Sequence, residues 1–498
     1  MQPLDLIVII AYLVGSAWLG LKLSGKQANI KDYFLGGREL PWWAVCLSVV
    51  ATETSALTVI SVPAVAYLGN ITFIQVAIGY LIGRIIVAVV LLPRYFRGEM
   101  TTAYEYLGQR FGRGMQSTAS VAFILTRLLA DGVRLFAAAI PVKVILDSYG
   151  LHLGFFPIIA ILSVVTIAYT FFGGIKAVVW VDVLQMALYI VGGIVALIFV
   201  TTKLDVNFWT EAADAGKTQI FDFASSPISA PYAFITAVIG GALLSTASHG
   251  ADQIIVQRLL TTRTLRDAQK AVIGSVIVVF FQFALFLTVG LALWSYYERR
   301  TIEELGLTHS DQIFPTFIVE GLPSGLSGLL LAGILASAMS TLSSSLSALA
   351  SSTMSDLFEK HSTRKLTDHQ GLRLSRVFTL GWGLVFIGAG ALFTGTDNPV
   401  VELGLSVAGL TYGGLLGAFF LGLWVPRARQ ADAVLGFTVA VALMTYLFLF
   451  QPELVGFTWY TAIGVIVTLG LGFLSSRRHP AAPAETSVVQ TADAGSGL

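Results

Sequence analysis

Thirteen apolar runs, each long enough to cross the hydrocarbon core of a bilayer, dominate this chain of 498 residues. Their approximate limits are 4–22, 41–69, 73–96, 115–149, 155–172, 178–202, 231–257, 270–297, 324–356, 372–394, 399–424, 432–450 and 457–475. Backbone polar groups inside a bilayer have no water to bond to, so runs of this kind form α-helices. Only 12% of the residues are charged, about half of the fraction in soluble domains. The sequence therefore predicts an all-α integral membrane protein with about 13 transmembrane helices.

The loops between the runs alternate in charge. Those after runs 1, 3, 7 and 9 are basic and contain Lys22, Lys26, Lys31, Arg38, Arg94, Arg97, Arg110, Arg113, Arg258, Arg263, Arg266, Lys270, Lys360, Arg364, Lys365, Arg373 and Arg376. Other loops are acidic, with Asp205, Glu211, Asp214, Asp222, Glu298, Glu303, Glu304, Asp311 and Glu320. Because Lys and Arg accumulate on the cytoplasmic side, we expect the N-terminus outside and the C-terminus in the cytoplasm of a cell that carries the chain in its plasma (inner) membrane.

The termini and the overall charge exclude several classes of protein. The first run follows no basic segment and ends in no small-residue cleavage site, which predicts a retained span. Residues 476–498 are rich in Pro, Ala and Ser and are predicted to form a disordered cytoplasmic tail. A net charge of +1 gives no indication of a nucleic-acid partner, and the single cysteine, Cys46, excludes an internal disulfide framework and a multi-cysteine metal site.

A serine-rich segment, LASAMSTLSSSLSALASSTMSD (335–356), lies in an apolar run without Lys or Arg. At a period of 3.6 residues its hydroxyls form one stripe, made of Ser337, Ser340, Thr341, Ser344 and Ser351, with Ser343 and Ser347 beside it. Neutral hydroxyl and carbonyl oxygens suit a hard cation such as sodium, and discontinuous transporter helices supply them near the midplane. The alternative is that small Ser and Ala faces let helices pack closely.

The second run has a polar centre, ATETSALT (51–58), between apolar flanks, and Pro63 follows it. A membrane helix can be interrupted there only where the freed carbonyls find a partner in a cavity or in an ion. Glu53 at that depth must be paired, protonated or in contact with water. The alternative is an unbroken helix whose polar groups are hydrogen-bonded or reach the membrane surface.

Further ionisable residues lie inside the predicted spans. Asp182 lies about one and a half turns into the sixth run, where it is either functional or paired with Lys176 at the membrane edge. Arg127, Asp131 and Arg134 share one face of the fourth run. They form either a neutralised structural triad or a site whose surplus positive charge receives an anionic solute, because a guanidinium matches a carboxylate.

Four segments in the same order together resemble the sodium:solute symporter family, over about Asp32 to Phe420. They are YFLGGRELPWW (33–43), GGIKAVVWVDVLQ (173–185), DQIIVQRLL (252–260) and the serine-rich segment. The resemblance implies the LeuT-type fold, with two inverted repeats of five helices, one extra helix before them and two after. It also implies sodium-coupled import of a small polar organic solute, possibly one with a carboxylate, by alternating access.

The resemblance assigns sodium ligands. The main site would comprise Ala51, Thr54, Ser337, Ser340 and Thr341. A second site, which some relatives have, would comprise Asp182, Ser340, Ser343 and Ser344. One or two sodium ions are therefore expected, and because every side-chain oxygen is present, two are favoured.

Candidate solute-binding residues follow less directly from the resemblance. Ser55 and Thr58 retain hydroxyls of sialic acid transporters, whereas Glu53 departs from them. Gln75 lies two residues from the position of a substrate-binding Gln or Glu, and Ser248 and His249 replace the gate aromatics of sugar carriers. Arg127 and Arg134 of the fourth run are also candidate solute-binding residues. The positions at which this chain differs from its relatives argue against a sugar specificity.

The predicted divisions are 1–40 (extra helix and inside loop), 41–202 (first repeat), 203–230 (external loop), 231–424 (second repeat), 425–475 (two further helices) and 476–498 (tail). The expected partners are a small-molecule solute and the lipid bilayer, with no obligate protein partner. No catalytic residues and no enzyme activity are predicted. Alternatives are a proton-coupled carrier of the same fold, since Glu53 and Asp182 could titrate, and more remotely a channel or an intramembrane hydrolase built on His249 and a serine.

Overall fold

A computed structural model describes residues 3–479 apart from 24, 26, 55, 99, 149, 228, 229, 231, 308, 309, 363–365, 393–399, 452, 453 and 456. Among these residues the secondary structure is helical, with one isolated bridge between Leu40 and Thr262. The predicted site residue Ser55, the predicted loop charges Arg364 and Lys365, and residues 480–498 of the predicted tail lie outside the described residues.

Helices fill the first half of the chain. They are α1 (Pro3–Leu23), α2 (Ile30–Leu35), α3 (Trp42–Glu53), α4 (Ala56–Leu68), α5 (Val76–Ile86), α6 (Leu92–Arg97), α7 (Tyr104–Phe111), α8 (Arg113–Ser148), α9 (Phe155–Thr202) and α10 (Phe208–Asp214). A π-helical turn, Val87–Leu91, joins α5 to α6 without a break in the chain direction.

The second half continues in the same manner. It contains α11 (Gly241–Gly250), α12 (Gln253–Leu259), α13 (Leu265–Tyr296), α14 (Ile313–Thr316), α15 (Leu326–Ser352), α16 (Glu359–His361), α17 (Asp368–Leu392), α18 (Val400–Trp424), α19 (Gln430–Phe450) and α20 (Tyr460–Ser476). A π-helical turn, Thr236–Gly240, precedes α11.

Every predicted apolar run contains a helix, and most helix ends lie within a few residues of the predicted limits. By length and composition, seven helices of the described residues are suited to cross a membrane, or eight if α3 and α4 form one span. The α9 helix alone covers two of the predicted runs. The count of thirteen crossings stays a prediction.

The two predicted runs inside α9 are separated at Gly174, whose backbone (φ 56°, ψ −156°) is not helical. Residues other than glycine rarely adopt a positive φ. A Cβ atom at this position would also lie 2.6 Å from the carbonyl oxygen of Tyr33 in α2. The chain therefore needs a glycine both to turn between the two helices and to let α2 approach.

The serine-rich helix α15 lies at the centre of the molecule. In its most apolar window, 89% of the residues are buried inside the protein, compared with 22% for α1 and 28% for α19. It packs on α9, α1, α8, α17 and α3. Small Ser and Ala side chains allow this many neighbours to approach one helix. Close helix packing, the alternative interpretation of the serine-rich segment, is therefore one of its roles.

Two further contacts position the site. The Asp5 carboxylate of α1 accepts hydrogen bonds from the backbone N–H groups of Gly325 and Gly328, both at 2.8 Å, and so caps the first turn of α15. A Cβ atom on Gly83 of α5 would lie 2.4 Å from the carbonyl oxygen of Ala242 in α11. This glycine lets α5 and α11 touch along their backbones.

Candidate functional site

The helix formed by the second apolar run is broken, as the sequence predicts. The α3 helix ends at Glu53, Thr54 is extended (φ −76°, ψ 100°), and α4 begins at Ala56. The axes of the two parts differ by 63°. Groups outside the helix satisfy the carbonyl and the side chain of Thr54, since Ser337 donates to the carbonyl oxygen at 2.6 Å and the Thr54 hydroxyl bonds to the Gln282 amide. The unbroken-helix alternative is wrong.

The break lies directly against the serine-rich helix. Besides the bond from Ser337 to Thr54, the hydroxyl oxygens of Thr52 and Ser344 are 3.2 Å apart. Oxygens of a broken helix and of a hydroxyl-rich helix therefore meet inside the protein. All of the proposed main-site ligands are buried, namely Ala51, Thr54, Ser337, Ser340 and Thr341.

Hydrogen bonds orient the hydroxyls of this group. Thr341 donates to the carbonyl oxygen of Ser337 at 3.2 Å, and Ser340 donates to a carboxylate oxygen of Asp182 at 2.7 Å. A hydroxyl that donates its hydrogen keeps two lone pairs. The oxygens therefore remain able to coordinate a cation, and a set of neutral carbonyls and hydroxyls is the chemistry that sodium prefers over transition metals.

Asp182 lies on the other side of Ser340 and is fully buried. Its carboxylate accepts hydrogen bonds from Ser48 at 2.5 Å and from Ser340 at 2.7 Å. Arg258 of α12 forms a salt bridge to it at 3.1 Å and also donates to Ser48 and Ser344. The proposed second-site residues Asp182, Ser340 and Ser344 thus form one network, whereas Ser343 donates to the carbonyl oxygen of Ser340 at 3.1 Å.

Two sequence interpretations of charged residues do not match the structure. The sequence places Arg258 in a basic loop, but the residue is fully buried in α12 and neutralises Asp182. The alternative partner of Asp182, Lys176, instead bonds Glu39 at 3.1 Å. The reason is that Gly174 turns the chain so that Lys176 lies over α2, where the side chain is within reach of Gly36.

A cavity of about 250 Å³ begins at the break and continues along α4. Five aromatic residues contribute to its wall, namely Phe73, Tyr80, Tyr232, Phe283 and Tyr412. Among the predicted site residues, those in the lining are Glu53, Thr54, Thr58, Arg127, Arg134, Ser248, His249 and Thr341. Thr54 and Thr341 belong to the proposed sodium site, so the cavity and that site share a wall.

Glu53 belongs to a small charged cluster in this lining. Arg84 of α5 is fully buried, forms a salt bridge to Glu53 and donates to Ser275 at 2.5 Å. His249 of α11 brings its Nε2 atom to 3.6 Å from the same carboxylate oxygen of Glu53. The sequence predicts that Glu53 is paired, protonated or in contact with water. In the structure it is paired with Arg84, and its side chain is also 19% exposed.

The second charged cluster involves four residues, one more than the sequence predicts. Arg127 is held by Asp252 of α12 and donates to Tyr412, and it lies 3.6 Å from Asp131. Arg134 pairs with Asp131 at 3.0 Å. The surplus positive charge predicted for the triad is therefore cancelled by Asp252, although Arg134 still lines the cavity.

Gln75 does not line the cavity. It is fully buried at the end of a 3₁₀ turn (Thr72–Gln75), where its amide donates to the carbonyl oxygens of Thr72 and Tyr232 and accepts from the Asp222 backbone. These bonds hold the loop before α11 against α5. The turn directs the side chain away from the solute wall, which spacing alone cannot reveal.

The sequence interpretation missed Arg84, Asp252 and the role of Arg258. Each is a charged residue within or beside an apolar run, where an ionisable group marks a functional site or a buried partner. At these three positions, a charged residue in an apolar run indicates a buried ion pair. The sequence does not identify the oppositely charged partner, because the partner depends on which helices are neighbours in the fold.

Structural similarity defines the class of protein. The fold matches a solved structure described as the substrate-bound outward-open state of a Na+-coupled sialic acid symporter, with a TM-score of 0.85, 27% identity, and coverage of 97% of this chain and 99% of that one. Together with the broken helix on a hydroxyl-rich helix, this match identifies a sodium-coupled symporter of the LeuT-type fold.

The family follows from sequence similarity. The model of the Sodium:solute symporter family matches residues 33–440. The Sodium/sialic acid symporter NanT of Aliivibrio fischeri is 29% identical over 483 residues, which are 95% of this chain and 93% of that protein. Human sodium-coupled monocarboxylate transporter 1 is 29% identical over 450 residues, or 88% of this chain and 72% of that protein. The chain belongs to the sodium:solute symporter family, and its predicted fold class, transport class and use of sodium are confirmed.

Proposed function

We propose that the chain imports a small polar organic solute that carries a carboxylate, together with sodium. The observation that carries this proposal is the position of Arg134 in the cavity lining, with its side chain 19% exposed. Its one hydrogen bond to a described residue goes to Asp131. A guanidinium has five N–H donors, so a carboxylate can bind the remaining ones in a bidentate manner. Relatives named for sialic acid and for monocarboxylates support this chemistry.

The direction of transport rests on the proposed orientation in the plasma (inner) membrane, with the N-terminus outside. In that orientation α3 runs outward, so that the cavity, which follows α4 from Thr58 to Val65, lies on the outer side of the break. On the other side, Ser48, Arg258 and Gln257 are fully buried. In the proposed orientation, this arrangement supports a carrier whose solute cavity lies on the outer side of the break and whose cytoplasmic side is closed.

We propose two sodium ions per cycle. The first binds at Ala51, Thr54, Ser337, Ser340 and Thr341, and the second at Asp182, Ser340, Ser343 and Ser344. A sodium ion that enters down a potential of ~100 mV releases ~2.3 kcal/mol, and a tenfold gradient adds ~1.4 kcal/mol. One ion thus supports a gradient of roughly 500-fold for a neutral solute, and two support about 10⁵-fold.

The predicted repeats, 41–202 and 231–424, are proposed as the two halves that enclose these sites. The helices α3 and α4 would begin the first repeat, and α11 and α12 the second. Both pairs are interrupted, at Thr54 and at Ala251–Asp252, as expected where discontinuous helices line a midplane site.

The test is sodium-dependent binding and uptake by the purified protein. Thermal shift is measured against carboxylates, sugars and amino acids, each with sodium and with choline at fixed pH, and hits are followed by uptake into proteoliposomes. We expect stabilisation by carboxylates only with sodium, and its loss in Arg134→Gln. The matched control Arg300→Gln removes an exposed guanidinium that pairs with Glu298. Equal uptake in choline, or sodium-dependent hits confined to solutes without a carboxylate, would contradict the proposal.

A further inference from the structure

Two polar atoms in the cavity wall, one on His249 and one on Glu53, have no hydrogen-bond partner among the described residues. His249 Nε2 is buried and has no hydrogen-bond partner in the described part of the chain. The nearest charged atom is Oε2 of Glu53, at 3.6 Å. The other carboxylate oxygen of Glu53 accepts no hydrogen bond from the residues that the structure describes, and both residues line the cavity.

The surroundings of His249 accommodate a hydrogen on Nδ1. This atom is 3.2 Å from the carbonyl oxygen of Ser245, one turn earlier in α11, and 2.9 Å from the Ser248 hydroxyl, which can donate or accept. In the neutral tautomer that donates from Nδ1 to the carbonyl oxygen, Nε2 presents a lone pair beside the carboxylate. A buried acceptor needs a donor, because leaving it unsatisfied costs about 1–3 kcal/mol.

Aromatic rings adjoin this acceptor pair. Phe283 contacts Phe73 with ring centroids 4.9 Å apart and Tyr80 at 6.3 Å, and Tyr232 contacts Phe73 at 5.3 Å. The Arg84 guanidinium that binds Glu53 lies 5.8 Å from the centre of the Tyr80 ring. Faces of aromatic rings attract cations. A positively charged donor on the solute would satisfy Glu53 and His249 and also contact these rings.

The charges around the cavity balance. The positive residues are Arg84, Arg127 and Arg134, and the negative ones are Glu53, Asp131 and Asp252, three of each, with His249 neutral. This sum counts side chains alone, and a sodium ion at the proposed main site adds a positive charge to it. The side chains are polarised, since Arg134 offers donors and Glu53 with His249 offers acceptors.

We infer that the solute is a zwitterion, an amino acid in the broad sense, whose protonated nitrogen binds between Glu53 and His249 while its carboxylate binds Arg134. The inference rests on the proposed function and specifies its substrate class. Glu53 and His249 are the specificity-determining residues for the nitrogen. A zwitterion supplies a carboxylate to Arg134 and a charged donor to Glu53 and His249, and it adds no net charge of its own.

The experiment compares solutes that share a carboxylate skeleton and differ only in the second group. The sets are alanine, lactate and propionate; 4-aminobutyrate, 4-hydroxybutyrate and butyrate; and proline and cyclopentanecarboxylate. Dissociation constants are measured on the full-length protein in nanodiscs, with sodium and with choline. We expect the amino member of at least one set to bind tenfold or more tightly than its partners, and only with sodium.

The outcomes separate this inference from the proposed function. If hydroxyl or unsubstituted acids bind as tightly as the amino acid with sodium, the zwitterion is wrong while carboxylate transport stands. If no carboxylate binds with sodium, both are wrong. Tighter binding of lactate than of alanine would assign a hydroxyl to the acceptor pair and overturn the protonated nitrogen.

Two variants test the residues. Glu53→Gln is expected to reduce the preference for the amino member by tenfold or more, while Arg134→Gln weakens every member of a set. Because Glu53→Gln leaves Arg84 without its carboxylate, His249→Asn serves as the second variant, since it removes the Nε2 acceptor and keeps that ion pair. Stabilisation by sodium alone reports folding in each case. An unchanged preference in folded protein of both variants would overturn the assignment.

Discussion

Arg258 and Asp182 form a salt bridge of 3.1 Å in which both side chains are fully buried. The guanidinium comes from α12 and the carboxylate from α9, and Ser48, Ser340 and Ser344 supply further hydrogen bonds. A buried pair is costly to break, because the remaining charge has no water to solvate it. A sodium ion at the proposed second site would have to share Asp182 with this guanidinium.

Removing one partner of this pair is expected to destabilise the protein strongly. Arg258→Met leaves Asp182 buried without a counter-charge, at a cost of about 3–5 kcal/mol. The double variant Arg258→Met with Asp182→Asn removes both charges and should recover most of the loss. Thermal unfolding in detergent measures both. A double variant no more stable than the single one would show that the charges do not act as a pair.

The second sodium ion predicts a separate effect of Asp182. In the double variant Asp182→Asn with Arg258→Met, which leaves no unpaired buried charge, the number of sodium ions carried per solute is expected to fall from two to one, because the amide keeps hydrogen-bonding capacity but lacks the charge. The ratio is measured by parallel fluxes of labelled sodium and solute into proteoliposomes. A wild-type ratio of one would contradict the second site.

The main sodium site predicts that hydroxyls on α15 set the sodium affinity. Ser340→Ala and Thr341→Ala should each raise the sodium concentration for half-maximal uptake by about tenfold or more, the effect of losing one ligand worth ~1.4 kcal/mol. Ser347→Ala is the matched control, since this buried hydroxyl of the same helix accepts a bond from Gln257 at 3.1 Å. Unchanged sodium dependence in both test variants would remove the assignment.

Backbone contact between α5 and α11 should be required for the cavity. In Gly83→Ala the added Cβ would lie 2.4 Å from a carbonyl oxygen, so the helices must separate and Arg84 with them. We expect loss of uptake and a lower melting temperature. Gly15→Ala in α1 is the control, because a Cβ there meets nothing within 4 Å. Equal behaviour of the two variants would show that the contact is dispensable.

A pH effect is expected outside the membrane, at Glu211 of α10. Hydrogen bonds from Ser295 and then Arg299 hold the pKa of this carboxyl below its ordinary value of 4.5. A lowered pKa in the folded state contributes stability above the unfolded pKa, and this contribution is lost as the pH falls through the folded pKa.

The melting temperature of the wild type should therefore fall more steeply than that of Glu211→Gln as the pH is lowered below about 4.5. Melting curves collected from pH 6 down to 3 measure the two slopes. Asp214→Asn, at the other end of α10, serves as the comparison. Parallel acid limbs for wild type and Glu211→Gln would contradict the coupling.

Much of the fold could be predicted because apolar runs and loop charges are local properties of the sequence. The break at Thr54 and the hydroxyl stripe of the serine-rich helix followed from polar residues inside apolar runs. The partners of buried charges did not, since Arg84, Asp252 and Arg258 meet Glu53, Arg127 and Asp182 from distant parts of the chain. Gln75 shows the converse, because a short 3₁₀ turn redirects a side chain that the sequence places near the solute.

The capping of α15 by Asp5 ties a helix outside the predicted repeats to the one that supplies most of the sodium ligands. If α15 shifts along its axis as the carrier cycles, α1 must shift with it or give up two charge-assisted bonds. Labels on α1 and α15 should therefore keep a constant separation through the cycle, which makes this pair of helices a fixed frame against which the movement of α4 can be measured.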